Sequence, residues 1–198
     1  MSPSYTRCNS ICMALECWTP LTFALCDIRD REALRAIFAA HRPEVVFHAA
    51  ALKHLPMLEQ YPEEGWKTNV LGTKNVVELA VEYGVKNLVN ISTDKAAEPT
   101  TVLGRSKRVA ERIVAHYSQQ VAERGWRYVS VRFGNVLGSR GSVLWTFTSQ
   151  IEHGGPITIT HPDVERFFMT IPEACALVIQ AGAIGRAAKC SCSTWGNR

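Results

Sequence analysis

Apolar residues along this chain fall into two rhythms. Short unbroken apolar runs alternate with longer stretches in which apolar positions recur every three or four residues. The first rhythm suits strands buried on both faces of a parallel sheet, and the second suits amphipathic helices. Residues 21–25 read as a short strand ending at Cys26-Asp27-Ile28-Arg29-Asp30. Leu34, Ile37 and Phe38 give the next stretch one apolar face, so a helix is expected there, with Asp30 as N-cap and His41-Arg42-Pro43 as its end. Val45-Val46-Phe47 is a continuous run, the mark of a strand covered on both faces, and it ends in His48-Ala49-Ala50-Ala51. Residues 52–60 read as a loop. A long helix from about residue 63 to residue 83 carries Trp66, Val70, Val77 and Ala80 along one side and stops at Gly84.

Residues 86–91 form the next expected strand. Leu103, Lys107, Ala110, Val114, Tyr117 and Val121 then mark a helix that runs to about residue 124, before Gly125. Residues 127–132 alternate as a strand, followed by Phe133-Gly134-Asn135-Val136 and a turn over residues 138–141. A helix over 142–151 is broken by Gly154-Gly155-Pro156, and residues 157–160 read as a short strand. Residues 171–182 form a last helix, with Thr170 as N-cap and Pro172-Glu173 in its first turn. Strands alternating with helices imply right-handed crossovers and a doubly wound parallel α/β sheet with a small C-terminal extension.

Composition narrows the function classes. A chain of 198 residues fits one domain or a large part of one. The formal net charge is +4, and no Lys/Arg-rich run with interleaved aromatics occurs, so nucleic acid is not expected as a partner. No apolar run reaches membrane-spanning length and no signal-peptide pattern opens the chain, so a cytoplasmic location is the default expectation. Cys8, Cys12, Cys17 and Cys26 cluster near the start, Cys190 and Cys192 near the end, with Cys175 between. Their spacing matches no common zinc pattern, and neither a metal site nor a disulfide is expected.

The chemistry is expected over residues 92–107. A strand end carrying Thr93, Asp94 and Lys95 faces the first turns of a helix carrying Lys107. Ligands of open α/β sheets bind outside the carboxyl ends of the strands, and an acid, an amine and a hydroxyl there suit proton transfer. The same residues would also make an ordinary solvated loop. The three alanines after His48 admit a flat ligand, or simply fit a tight strand-to-helix connection. A dinucleotide-binding domain normally opens with strand, G-x-G-x-x-G and helix. The sequence contains no such motif, and its first recognisable unit resembles the third strand of that fold. Interior strands then become edges, Val45–Phe47 lose cover, and a poorly stable or aggregation-prone product is expected.

Several long phrases in order carry a family resemblance. They are Phe47-His48-Ala49-Ala50-Ala51-Leu52-Lys53-His54, Lys67-Thr68-Asn69-Val70-Leu71-Gly72-Thr73, Ser92-Thr93-Asp94-Lys95-Ala96, the stretch Arg132-Phe133-Gly134-Asn135-Val136-Leu137-Gly138-Ser139-Arg140-Gly141-Ser142-Val143, and Gly155-Pro156-Ile157-Thr158-Ile159-Thr160-His161-Pro162-Asp163 followed by Arg166-Phe167-Phe168-Met169-Thr170. From about residue 26 to residue 186 the chain resembles the extended short-chain dehydrogenase/reductases, and within them the CapD-like nucleotide-sugar 4,6-dehydratases of polysaccharide biosynthesis. The resemblance implies a Rossmann-like sheet, here incomplete at its N-terminus, with a small substrate-binding extension over about residues 137–186. It implies NAD or NADP as cofactor and a UDP-sugar as substrate, of UDP-N-acetylhexosamine type. It also implies a homo-oligomer for an intact protein, and membrane association for a longer parent.

Site roles follow by position. Asp27 and Ile28 would lie at the adenine. Ala49, Ala50, Ala51, Lys53 and Asn69 would line the cofactor, and Lys107 would hold the nicotinamide ribose. Thr93 would meet the sugar 4-hydroxyl. Asp94 and Lys95 match the acid/base pair of the dehydratases: oxidation at C4 acidifies the C5 proton, neutral Lys95 removes it, protonated Asp94 helps water leave C6, and the hydride returns to C6. His54, Asn135, Arg140, Thr158 and Arg166 would contact the substrate, Arg166 having a surface cation as its plain alternative. The position four before Lys107, commonly a catalytic tyrosine in this superfamily, is Leu103, which carries no exchangeable proton. A sugar 4-epimerase and a non-catalytic remnant that binds only nucleotide-sugar or a subunit are the alternatives.

The ends depart from the family pattern. Residues 1–20 read as a non-family leader, residues 21–186 as the partial NAD(P)-binding domain, and residues 187–198 as a non-family tail. Both ends can be back-read as out-of-frame copies of family-like sequence, so frame shifts are expected in the gene. A glycine-rich strand-turn-helix in a neighbouring upstream frame is the observation that decides it.

Overall fold

The computed structural model describes residues 23–138, 143–159, 168–184 and 191–192. Its centre is a four-stranded sheet, all parallel. The strands are β1 (Val45–His48), β2 (Asn87–Thr93), β3 (Arg127–Phe133) and β6 (Ser191–Cys192), side by side in that order. A separate parallel pair joins β4 (Asn135–Val136) to β5 (Phe168–Met169). The helices are α1 (Arg31–His41), α2 (Leu55–Gln60), α3 (Pro62–Gly65), α4 (Thr73–Glu82), α5 (Val102–Val121), α6 (Val143–Glu152) and α7 (Ile171–Ile184). None of the described helices is long and apolar enough to cross a membrane.

Local sequence explains the helix ends. Asp30 caps α1, its carboxylate accepting from the Ala33 amide at 3.0 Å. Thr101 caps α5 through Gly104 N–H. Thr170 and Glu173 close a reciprocal capping box at the start of α7, with Thr170 N–H donating to Glu173 at 2.7 Å. Gly84 and Gly125 follow the ends of α4 and α5 at φ of 77° and 72°, the left-handed region where a side chain would be strained.

Side chains alternate along each strand, so the sheet has two distinct faces. One face lies under α4 and α5. There Leu88 and Tyr128 join Val77, Leu79, Ala80, Val114 and Val121, with Leu34 and Phe38 of α1 behind. The other face packs Val89, Val129 and Val131 against Ala181 of α7. Gly182 brings α7 close to β2: a Cβ there would stand 3.1 Å from Val89 Cγ2.

Four sequence expectations are corrected and one is met. Phe23 to Leu25, the described part of the first expected strand, pairs with nothing among the described residues, and Phe23 and Leu25 are exposed. A strand without an adjacent partner leaves its backbone groups to solvent. β1 forms as the edge of the described sheet, with Val45 45% and Phe47 50% exposed. This agrees with the expected loss of cover over Val45–Phe47. The expected loop at 52–60 contains α2, whose Pro56 suits a first turn and whose Leu58 is buried against Gly65. The long helix before Gly84 contains a π-helical segment, Trp66–Gly72, between α3 and α4. Its wider turn breaks the single stripe: Val70, Val77 and Ala80 are buried, but Trp66 stays half exposed. Ile157 to Ile159, the described part of the last expected strand, is irregular and exposed.

Candidate active site

The carboxyl end of β2 turns directly into a single 3₁₀ turn, Asp94–Ala96. Thr93 ends the strand and caps the turn. Its hydroxyl donates to Asp94 Oδ1 at 2.8 Å, and the same oxygen accepts from the Lys95 amide at 2.8 Å and from Lys95 Nζ at 3.0 Å. The expected acid, amine and hydroxyl therefore stand in one hydrogen-bonded cluster, with both charged groups partly open to solvent. Burial works against the Asp94 charge, but hydrogen bonds from Lys95 and Thr93 outweigh it and hold the carboxyl below the usual range. At rest Asp94 is thus a carboxylate, the reverse of the protonated acid that elimination calls for.

Lys107 approaches the same strand end from α5. It is buried, and its Nζ donates to the Ile91 carbonyl at 2.7 Å. Burial pushes the ammonium down to about 8, against the upward pull of the Glu111 carboxylate. Leu103, one turn earlier, is buried and offers no proton. Gly104 has no counterpart among the expected site residues. A Cβ there would press into the Lys95 carbonyl oxygen and stand 3.2 Å from Pro99 Cα, so its missing side chain lets α5 reach the loop.

Behind these residues the covered sheet face turns polar. His48, Asn90 and Ser130 lie in register across β1, β2 and β3. His48 Nε2 lies 2.9 Å from Thr73 Oγ1, whose hydroxyl donates to Asn69 O, so the histidine is the donor in that contact. Burial first, then the Lys107 charge, push the His48 imidazolium down to about 4. Asn90 donates to Ser130 Oγ at 3.1 Å. In the next row Ser92 and Arg132 both donate to the buried Glu111. Ser92 and Arg132 open two of the family phrases without an expected role, and Glu111 lies in none. Their signal is positional: Glu111 sits on the core-facing stripe of α5, four residues after Lys107, where a charge needs a buried partner.

The remaining expected residues are spread more widely. Ala49 and Ala50 are exposed at the end of β1, Ala51 is half buried, and Lys53 and His54 are exposed before α2. Asn69, expected to line the cofactor, makes its hydrogen bonds within the protein. It is fully buried, its Oδ1 accepts from Leu52 N–H, and its Nδ2 donates to Leu52 O and Ser106 Oγ. It therefore clamps the loop that follows the three alanines. Asp27 is gripped by Arg29, whose hydrogen bonds hold its carboxyl below the usual range, and Arg29 reaches on to Glu64. Ile28 lies against Gly72, and its carbonyl accepts from Asn75. Asn135 is half buried in β4. Thr158 is held at both its amide and its hydroxyl by Gln150. Arg140 and Arg166 lie outside the described residues.

A parallel sheet wound on both faces, with a Thr-Asp-Lys strand end and a buried helix lysine, defines a Rossmann-like domain of the short-chain dehydrogenase/reductase type. The chain belongs to the polysaccharide biosynthesis protein family, whose pattern it matches over residues 9–197. It is 50% identical over 162 residues to the probable polysaccharide biosynthesis protein EpsC of Bacillus subtilis, covering 82% of this chain and 27% of that protein. It is 47% identical over 162 residues to the capsular polysaccharide biosynthesis protein CapD of Staphylococcus aureus, with the same coverages. The chain thus spans little more than a quarter of the length of these relatives. Among solved structures it resembles the UDP-glucose 4-epimerase of Thermus thermophilus, solved in complex with NAD. The TM-score is 0.65 and the identity 26%, over 79% of this chain and 58% of that one.

Proposed function

We propose that the chain carries the catalytic loop of an NAD(P)-dependent nucleotide-sugar 4,6-dehydratase acting on a UDP-N-acetylhexosamine for surface polysaccharide synthesis. The observation that carries this reading is the Thr93-Asp94-Lys95 cluster, an acid and an amine 3.0 Å apart at a strand end. Ala49 and Ala50 leave the end of β1 open, and the Lys107 ammonium acts on the neighbouring His48. These residues fit the nicotinamide-ribose half of the cofactor, while the sequence has no G-x-G-x-x-G to cradle the pyrophosphate. When bound, the cofactor supplies the hydride acceptor.

The chain's own part is proton handling. Thr93 stands at the strand end where a sugar 4-hydroxyl would be met. The Asp94–Lys95 pair holds one proton between a carboxylate and an amine. Moving it from Nζ to Oδ1 gives a neutral amine and a protonated acid together, with no proton lost to solvent. Closure of a sugar over the pair removes water, which favours the neutral form of both. The amine then takes the C5 proton, and the acid protonates the departing C6 hydroxyl. Arg140, Thr158 and Arg166 are proposed contacts for the nucleotide and its diphosphate, and His54 and Asn135 for the sugar side.

Incubation with UDP-GlcNAc and NAD⁺ tests the reading. A 4-keto-6-deoxy product, lost in Asp94→Asn and Lys95→Met, is expected. A 4-epimer formed equally by both variants would sink it. The epimerase reading is kept because of the Thermus relative. Leu103, which cannot carry a proton at the usual tyrosine position, speaks against it.

A further inference from the structure

We propose that Glu111 is a positioning residue of this site, fixing the Thr93-Asp94-Lys95 turn and the Lys107 ammonium to the same two residues of β2. The geometry is specific. Lys107 Nζ takes the carbonyl of Ile91 at 2.7 Å, and one helical turn later Glu111 Oε1 takes the hydroxyl of Ser92 at 2.6 Å. Consecutive residues of the strand are therefore held by one turn of α5, immediately before the reactive turn begins. Arg132 completes the hold. Its Nε reaches Glu111 Oε1 at 2.8 Å and its Nη2 reaches Oε2 at 2.7 Å, a two-point contact from the strand position paired with Ser92. Arg108 adds a weaker contact at 3.3 Å.

This arrangement does more than fill space. A buried carboxylate facing a two-point guanidinium has fixed direction, and direction is what a positioning group needs. Burial opposes the Glu111 charge, but hydrogen bonds from Arg132 and Ser92 win and keep it ionised. That charge acts in turn on Lys107, where it resists the effect of burial. Glu111 thus sets both the place and the charge of groups that themselves would touch substrate and cofactor.

The inference rests on the dehydratase reading only for what the turn is positioned to do. Its test needs neither substrate nor cofactor, so the two can fail separately. The pH profile of Lys107 acetylation by trace acetic anhydride, read by peptide mass spectrometry on the full chain, gives the lysine's titration midpoint. In Glu111→Gln the midpoint is expected to fall, with a several-fold gain in reactivity at pH 7, and in Glu111→Asp it is expected to stay near the parent value. Should Glu111→Gln fail to fold, the double variant Glu111→Leu with Arg132→Met removes both charges and keeps an apolar contact. An unchanged Lys107 midpoint in folded Glu111→Gln overturns the proposal; in the double variant, where the two lost charges offset each other at Lys107, hydrogen exchange over residues 93–97 equal to the parent does so. Ser92→Ala, which leaves no charge without a partner, decides independently. Its amides over residues 93–97 are expected to exchange hydrogen several-fold faster, and exchange equal to the parent also overturns it.

Discussion

The two faces of the sheet are built on different principles. Under α4 and α5 the rows run from apolar to polar toward the carboxyl ends: Leu88 and Tyr128, then His48, Asn90 and Ser130, then Ser92 and Arg132 with Glu111. Toward the carboxyl ends the face under α7 stays apolar through Val89, Val129, Val131, Ile91 and Phe133; the half-exposed Val45 and Phe47 lie at its edge, and at its far end Arg127 donates to Asn87 and to the Ala183 carbonyl of α7. One face therefore concentrates energy in a few directional contacts, and the other spreads it over area. Directional contacts can place a reactive group, whereas dispersed apolar area can only hold layers together.

The largest test of this contrast removes Arg132. Arg132→Leu leaves the Glu111 carboxylate buried without its main partner and is expected to cost about 3–5 kcal/mol. Ile179→Ser, on the exposed side of α7, is expected to stay within about 0.5 kcal/mol. Equal losses in urea unfolding would erase the distinction between the faces. His48 provides the next test. Its folded value near 4 lies below the unfolded value near 6.5, so the unfolded state binds more protons between them. Stability is complete above the upper value and falls as pH drops through the window, by up to about 3 kcal/mol. The difference in stability between the parent and His48→Gln should therefore change across pH 6.5 to 4; a constant difference would show that His48 does not titrate as a buried group.

Gly104→Ala comes third. The added methyl meets backbone at Lys95 and Pro99, which cannot swing aside as a side chain does. A loss of about 1–3 kcal/mol is expected by thermal unfolding, with faster hydrogen exchange over residues 94–97. The smallest stability effect belongs to the bare face. Phe47→Lys is expected to change stability by less than about 1 kcal/mol, because half the ring is already in water. It should nevertheless raise the monomer fraction in size-exclusion chromatography, since a charge on an edge strand opposes strand-to-strand association.

How much of this could be read from sequence differs between the faces. The helices of the covered face were legible because Leu34 and Phe38 keep helical spacing before Arg42-Pro43, and Val77, Val114 and Val121 keep it before Gly84 or Gly125. The reactive turn was legible because Thr93, Asp94 and Lys95 follow a clean apolar run. What organises that turn was not. Ser92, Glu111 and Arg132 are 21 residues apart at most along each hydrogen bond, yet they meet only once α5 lies across β2 and β3. Asn69 sits in a family phrase, but its hold on the loop depends on Leu52 and Ser106, which no periodicity links to it. Residues 23–25, the described part of the first expected strand, have the composition of a strand, but strand formation requires a neighbour, and composition does not supply one.

The π-helical segment at Trp66–Gly72 has a consequence for insertions and deletions. Each α-helical residue advances the chain by about 100° around the axis, so an extra residue in one turn leaves the two ends of the helix out of phase by about that angle. A one-residue deletion within the segment would let the helix close to regular α geometry. It would also rotate Pro62–Gly65 around the axis relative to Thr73–Glu82 and draw Asn69 away from Leu52. Length in this short stretch is therefore a rotational setting. Substitutions there can be judged residue by residue, but a single lost codon would act on every contact the preceding turn makes.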